Sequence, residues 1–225
     1  MSEFRYAQLC PLARAAEVVG NRWSLLVLRE LALGPQRFSD LRRRLAGIST
    51  SVFAERLAAL AGYGVVEAAE LPPPAAARVY RLTPHGEAFR PVLLALARWG
   101  LRWLGPPGDG DHFEPDWLRL SLPSFAAPGP TPARRFELRV GGERIRFEGG
   151  PEGFRIPAEE GAPDLVIEAR PEHLVGLLTG LLPASVARAR GVRLEGDAAA
   201  LADLPRLFRF ESPSRAPIQG QGAKP

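Results

Sequence analysis

Between Arg37 and Thr83 the hydrophobic period changes from helical to extended, and this change constrains the fold more than any other feature of the chain. Leu41 and Leu45 stand four apart, and Phe53, Leu57 and Leu60 recur at i, i+4 and i+7, so two short helices each carry one apolar stripe. Both stripes need a common core. Between them lies Ala46-Gly47-Ile48-Ser49, where Gly47 permits a sharp bend and Ser49 or Thr50 offers a side-chain oxygen to the free amides of the next helix. The spacing predicts helix, tight turn, helix.

The second helix gives way at Gly62-Tyr63-Gly64 to Val65-Val66-Glu67-Ala68-Ala69, and Arg78-Val79-Tyr80-Arg81-Leu82 follows as a second extended run. The pair reads as a hairpin. Its tip, Leu71-Pro72-Pro73-Pro74-Ala75-Ala76, is too long for a two-residue turn and its prolines cannot donate ladder bonds, so it projects as a loop. Helix-turn-helix plus projecting hairpin is the winged-helix arrangement, in which the second helix enters the major groove and the wing lies beside the phosphate backbone. Upstream, Pro11 opens a helix over Leu12 to Val19, and Trp23 to Leu33 forms another that is apolar nearly all round until Gly34-Pro35 stops it. Downstream, Thr83 caps and Pro84 opens a long helix carrying Phe89, Val92, Leu93, Leu96, Trp99 and Trp103 at steps of three and four. A winged core cannot bury all of that stripe, so the terminal helices are expected to hold a homodimer with its recognition helices about one DNA turn, ~34 Å, apart.

Charge divides the chain: residues 1 to 104 carry 14 arginines against 8 carboxylates, whereas residues 105 to 225 carry 15 basic residues against 17 acids. The basic half suits a polyanion, here double-stranded DNA, although a solvated basic surface has the same sign. Arg37, Arg42, Arg43 and Arg44, with Arg78 near the wing, are the expected phosphate contacts. Ser49, Thr50, Ser51, Glu55 and Arg56, in the first turns of the recognition helix, are the candidates for base edges. Ser49 serves equally well as a plain cap, and Arg56 as half of an internal salt bridge.

Glycine and proline crowd residues 105 to 132 on both sides of a short apolar segment, which marks a boundary. Beyond it the period is two: Phe136, Leu138 and Val140, then Ile145 and Phe147 after Gly141-Gly142, predict a hairpin. Gly153 to Ile156, Asp164 to Glu168 and Val192 to Glu195 predict further strands. Pro171 to Gly180 and Pro183 to Ala189 predict helices, and Asp197 caps a last helix running to Phe208. The fold class is α+β: a winged helix-turn-helix domain at 1–105, a Gly/Pro-rich linker at 106–132, a small domain with a mostly antiparallel sheet at 133–211, and a disordered tail at 212–225.

Enzyme chemistry finds little support. His85, His112 and His173 are scattered without metal-ligand spacing, Cys10 has no histidine that the sequence places beside it, and the glycine pairs Gly141-Gly142 and Gly149-Gly150 sit between strands, where they cradle no phosphate. No metal or cofactor is expected. No apolar run reaches the roughly 18 residues of a membrane span, Arg14 and Glu17 interrupt any signal-like segment, and a single cysteine excludes an intrachain disulfide. These features point to the cytoplasm.

Residues 10 to 100 resemble the HxlR-type winged-helix transcriptional regulators. The resemblance runs through Cys10-Pro11, Gly20-Asn21-Arg22-Trp23 to Leu31, Gly34-Pro35-Gln36-Arg37-Phe38-Ser39-Asp40-Leu41, Gly47-Ile48-Ser49, Arg56-Leu57, Gly64-Val65-Val66 and Tyr80 to Gly86. It implies a dimeric bacterial DNA-binding regulator, and a sensor thiol at Cys10, which from spacing alone is as readily a small apolar residue at a core edge. Residues 134 to 208 resemble a sterol-carrier-protein-like domain in Leu178-Thr179-Gly180, Gly191 to Asp197 and Leu201 to Phe208. That implies an apolar cavity for a lipid-like effector, with Phe136, Leu138, Phe147, Phe154, Ile167, Leu177, Leu178 and Leu181 as its lining, or a closed scaffold of the same fold. Two alternatives to an effector-controlled regulator follow: a lipid carrier or scaffold whose helical half dimerises, and a regulator that senses through Cys10.

Overall fold

The computed structural model describes residues 5–74, 76–104, 110–157 and 161–210. The chain divides into two compact units, Met1–Leu93 and Leu94–Pro225. The expected tail at 212–225 and the first residues of the Gly/Pro-rich stretch lie outside the described residues.

The first unit runs α1 (Pro11–Val19), α2 (Ser24–Leu31), α3 (Phe38–Arg44), α4 (Thr50–Gly62), β1 (Val66–Glu70), β2 (Arg78–Leu82) and the single turn α5 (Pro84–Glu87). Val27, Leu28 and Leu31 of α2, Leu41 of α3 and Phe53, Leu57 and Leu60 of α4 form the buried helical core. β1 and β2 pair antiparallel with Val66 opposite Leu82 and Ala69 opposite Val79. Tyr80 also exchanges backbone bonds with Gln36, its N–H donating at 2.8 Å and its carbonyl accepting at 3.0 Å, which ties the hairpin to the α2–α3 loop. The Phe38 ring fills the angle so formed, 4.7 Å from Phe53 and 6.4 Å from Tyr80 between centroids.

One buried charge joins α2 to α3. Glu30 has no solvent exposure, and its Oε1 accepts from Arg29 at 2.7 Å while its Oε2 accepts from Arg44 at 2.6 Å. Gln36 completes the joint by donating its amide to the Glu30 carbonyl at 2.6 Å. Arg44, expected as a phosphate contact, is instead taken up inside the protein: one residue beyond Arg43 and about 100° further round α3, it turns inward to meet the carboxylate.

The long helix expected from Thr83 is broken. Thr83 does cap, its Oγ1 accepting from Gly86 N–H at 3.1 Å, but α5 ends at Glu87 and α6 (Arg90–Gly100) starts anew. Pro91 is the cause, since it has no N–H for the Glu87 carbonyl and its ring would strike that oxygen. Val92, Leu96 and Trp99 on α6, with Trp103 in the 3₁₀ turn after it, are 39–56% exposed.

In the second unit the stretch expected as a linker is folded. α7 (Asp116–Ser121) and a 3₁₀ turn over Leu122–Phe125 place Leu122 and Phe125 in the core, with Phe113 and Leu118 against it. The apolar steps from Leu118 to Leu122 to Phe125 are helical, and flanking glycines and prolines mask them in the sequence. β3 (Arg135–Val140), β4 (Glu143–Glu148), β5 (Leu165–Glu168), α8 (Pro171–Leu178), α9 (Ala184–Ala189) and β6 (Arg193–Gly196) follow. The sheet order is β4-β3-β5-β6, with β3 parallel to β5 and the other two pairings antiparallel. The expected strand at Gly153 to Ile156 is reduced to one bridge, Arg155 to Glu148, and the expected last helix is two 3₁₀ turns, Ala198–Ala202 and Leu204–Leu207. Pro205 interrupts it as Pro91 interrupts the earlier one.

Phe136, Leu138, Ile145, Phe147, Leu165 and Ile167 line the sheet's inner face against Leu174, Leu177 and Leu178 of α8 and against Leu201, Leu204 and Leu207. Glu137 lies on the outer face and is nonetheless 1% exposed, because Arg139 and Arg146 fold over it, each donating at 2.7 Å. Burial opposes its ionisation, but the donations from Arg146 and Arg139 prevail and hold its carboxyl below the ordinary glutamate range.

Two outcomes follow. Glu30→Gln leaves Arg29 and Arg44 without their counter-charge and is expected to lower unfolding stability by about 3–5 kcal/mol, the usual cost of breaking a buried pair, read by urea denaturation. Glu137, its folded pKa depressed, contributes stability that is present above its unfolded value of about 4.3 and is lost as pH falls through the folded value. Stability against pH should thus fall on the acid side, and Glu137→Gln should flatten that limb by about one proton.

Candidate nucleic-acid interface

The α3–α4 turn depends on Gly47, whose φ of +87° lies in the left-handed region that side chains disfavour. Ser49 then caps α4 from extended backbone, its Oγ accepting from Val52 N–H at 3.3 Å and lying 3.2 Å from Ser51 Oγ. Thr50 and Ser51 are left exposed in the first turn. Arg42 Nη1 donates to Thr50 Oγ1 at 3.1 Å, so the last turn of α3 and the first turn of α4 share one polar edge.

Arg37, Arg42, Arg43 and Arg78 are all exposed. Arg43 meets Asp40 at 3.1 Å, but with its side chain 75% exposed this pair is a weak one that a phosphate can displace. Arg37 is the residue before α3, and Arg78 stands on β2 opposite Glu70. Glu55 and Arg56 are taken up with each other through Arg56 Nη2 and Glu55 Oε1, and the Arg56 side chain is only 18% exposed. The structure thus brings Arg42 and the Ser49–Ser51 turn together, and it turns Arg56 toward an internal pair. Sequence reasoning overlooked Val52, Ala54 and Ala58, which are exposed on α4. Their apolar character signalled core, and only their phase, off the Phe53–Leu57–Leu60 stripe, could have shown otherwise.

Cys10 is the residue before α1, half-buried, and makes no capping bond through its sulfur. Of the apolar set in the second half, Phe136, Leu138, Phe147, Ile167, Leu177 and Leu178 are buried together and Phe154 packs on them. Leu181 does not join them. It is 72% exposed, because Gly180, at φ +76°, turns the chain off the α8 face. Among the described residues no three His, Cys, Asp or Glu side chains group as metal ligands, and no helix is long and apolar enough to cross a membrane.

Comparison with known proteins agrees with the first unit's geometry. A family model described as HxlR-like helix-turn-helix matches residues 18–107. The HTH-type transcriptional regulator sll1512 of Synechocystis sp. is 37% identical over 105 residues, covering 45% of this chain and 75% of that protein. The HTH-type transcriptional regulator YvaP of Bacillus subtilis is 33% identical over 101 residues, covering 44% of this chain and 94% of its own. A solved structure of the transcriptional regulator YodB from B. subtilis, in its reduced form, aligns over 45% of this chain and 100% of its own at 30% identity and a TM-score of 0.38. With the regulators of Synechocystis and B. subtilis matched at 37% and 33% identity along most of their own length, the chain belongs to the HxlR-like helix-turn-helix family.

Proposed function

We propose that this chain is a sequence-specific DNA-binding transcriptional regulator that works as a homodimer. The observation that carries the reading is the exposed first turn of α4, Thr50 and Ser51 beside Arg42, in a chain whose relatives are HTH-type transcriptional regulators. α4 enters the major groove. Arg37, Arg42 and Arg43 from α3 and Arg78 from the wing meet phosphates, and Ser49, Thr50 and Ser51 approach base edges, with Glu55 and Arg56 reaching them only by giving up their mutual pair. Dimerisation is supported by the apolar side chains that α6 leaves in solvent, Val92, Leu96 and Trp99, and by Leu12 of α1, 77% exposed. In the homodimer so proposed, the two α4 helices are expected to stand about one DNA turn, ~34 Å, apart.

The second unit fits the closed, scaffold form of a sterol-carrier-like domain better than a carrier with an open lipid cavity. Supporting this are the rings between sheet and helices: Phe136–Phe147, Phe147–Phe154, Phe147–Phe208 and Phe154–Phe208 centroids lie 5.3–5.8 Å apart, in the space a lipid tail would need. A lipid effector has to part these rings, and a lipid extract that leaves DNA affinity unchanged agrees with the closed form.

The test is a mobility shift with DNA from the region upstream of the chain's own gene, at physiological salt with excess nonspecific competitor. A competitor-resistant shift supports the reading, and loss of the shift to competitor opposes it. Arg42→Ala/Arg43→Ala is expected to weaken binding to every duplex alike and to reduce the salt slope by about 2 per protomer, at roughly 0.9 per phosphate contact. Unchanged affinity at all salt concentrations contradicts the assignment. Sedimentation at micromolar concentration should show a dimer, and a monomer alone contradicts the pairing.

A further inference from the structure

The sheet of the second unit has two edges, and they end differently. Beyond β4 the chain returns: Arg155 exchanges backbone bonds with Glu148, its N–H donating and its carbonyl accepting, both at 2.9 Å. β6 has no strand on its far side among the described residues. Asp197 N–H donates to the Asp164 carbonyl at 2.8 Å. The antiparallel register from there puts the N–H and carbonyl of Glu195 and Arg193 toward β5, and those of Leu194 and Gly196 away from it. Val192, which points the same way as Leu194, has its N–H met by the Ala187 carbonyl at 3.0 Å, so the open edge is 194–196. Natural sheets protect such an edge, often with charge. Here the charges are Arg193 and Glu195, on the sheet's outer face with side chains 77% and 59% exposed. They stand one on each side of Leu194 and have opposite signs.

We propose that β6 pairs antiparallel with β6 of a second copy of this chain, about a two-fold axis at Leu194. Leu194 then exchanges both backbone bonds with its own counterpart, and each Arg193 lies opposite a Glu195. A parallel pairing in register sets arginine beside arginine and glutamate beside glutamate, so charge selects the antiparallel one. Leu194, half-buried against the second unit's core, meets its counterpart on the inner face. The ion pairs that Arg193 and Glu195 make in their own chain, with Glu168 at 3.8 Å and Arg139 at 3.2 Å, are exposed and weak, and they leave both side chains able to turn to a second partner. This self-contact lies in the second unit and does not depend on the DNA-binding reading.

The experiment uses the full chain with Cys10→Ser, so that an introduced thiol is the sole one. In the proposed pair the two Leu194 Cα atoms stand about 5.5 Å apart, within the span of a disulfide. Leu194→Cys under mild oxidation, without DNA, should form a disulfide-linked dimer at least about 10-fold faster than Glu152→Cys, an 83%-exposed site elsewhere in the second unit, because paired thiols meet at an effective concentration far above that of free chains. Adding Arg193→Glu, or Glu195→Arg, to the Leu194→Cys chain sets like charges opposite each other and should remove that advantage. Mixing those two chains restores opposite charges on both sides of the axis and should recover it in the mixed dimer, a result that misfolded variants cannot give. Three results each overturn the self-pairing and leave the edge to a strand of another protein: Leu194→Cys linking no faster than Glu152→Cys, single reversals linking as fast as their parent, or a mixture linking no faster than its components. Competitor-resistant DNA binding stands or falls separately.

Discussion

A carboxylate with no access to solvent must find its counter-charge inside the protein, and in the first unit that requirement falls on Glu30. The two cations that meet it come from different helices, Arg29 beside it on α2 and Arg44 at the end of α3. Such a pair adds little net stability compared with an apolar contact, yet it is costly to leave half made. It therefore acts as a register pin. α3 sits against α2 where Arg44 reaches Glu30, and Gln36, bonded to the Glu30 carbonyl, starts α3 at that point. Everything nearer to DNA is built outward from this joint.

The turn at Gly47, after α3, carries the chain into α4, and the exchange between Gln36, before α3, and Tyr80 ties the other end of α3 to the wing. α3, pinned at Glu30, thus orients at its two ends both elements that a winged helix presents to a duplex. The arginines sort accordingly. Arg29 and Arg44 are spent on Glu30 and Arg56 on Glu55, whereas Arg37, Arg42, Arg43 and Arg78 remain on the surface. The net positive charge of the first 104 residues suits a polyanionic partner, and this sorting narrows the arginines proposed to meet it.

The helices of the first unit were legible because their signals are local: apolar residues three and four apart, a serine at the cap, a glycine at the turn and a proline opening α1. The break between α5 and α6 was legible in principle too, since Pro91 stands in plain view, but the apolar stripe continues through it and masked the stop. The role of Arg44 was not legible. Arg42, Arg43 and Arg44 are identical in sequence, and only the helical phase relative to Glu30, fourteen residues earlier, separates the third from the others. The same holds in the second unit, where Glu137 occupies an outward position of β3 and is buried by arginines on its own and the neighbouring strand. Leu118, Leu122 and Phe125 kept a helical period, but their glycine- and proline-rich flanks suggested a linker.

For the candidate site, composition pointed to hydroxyls and charges at the start of α4, and burial added the exposed alanines and Val52. Small apolar side chains read as core until their phase is known: Val52 and Ala54 flank the buried Phe53–Leu57–Leu60 stripe on either side and so stay in solvent. The central claim is that the exposed first turn of α4 is what meets DNA. The most direct measurement is photo-cross-linking of the full chain to a bound duplex from a benzophenone side chain placed at Ser51, with the same group at Glu152, 83% exposed in the second unit, as the comparison. The account predicts a DNA adduct from position 51 and none from position 152. An adduct from 152 with none from 51 would contradict it.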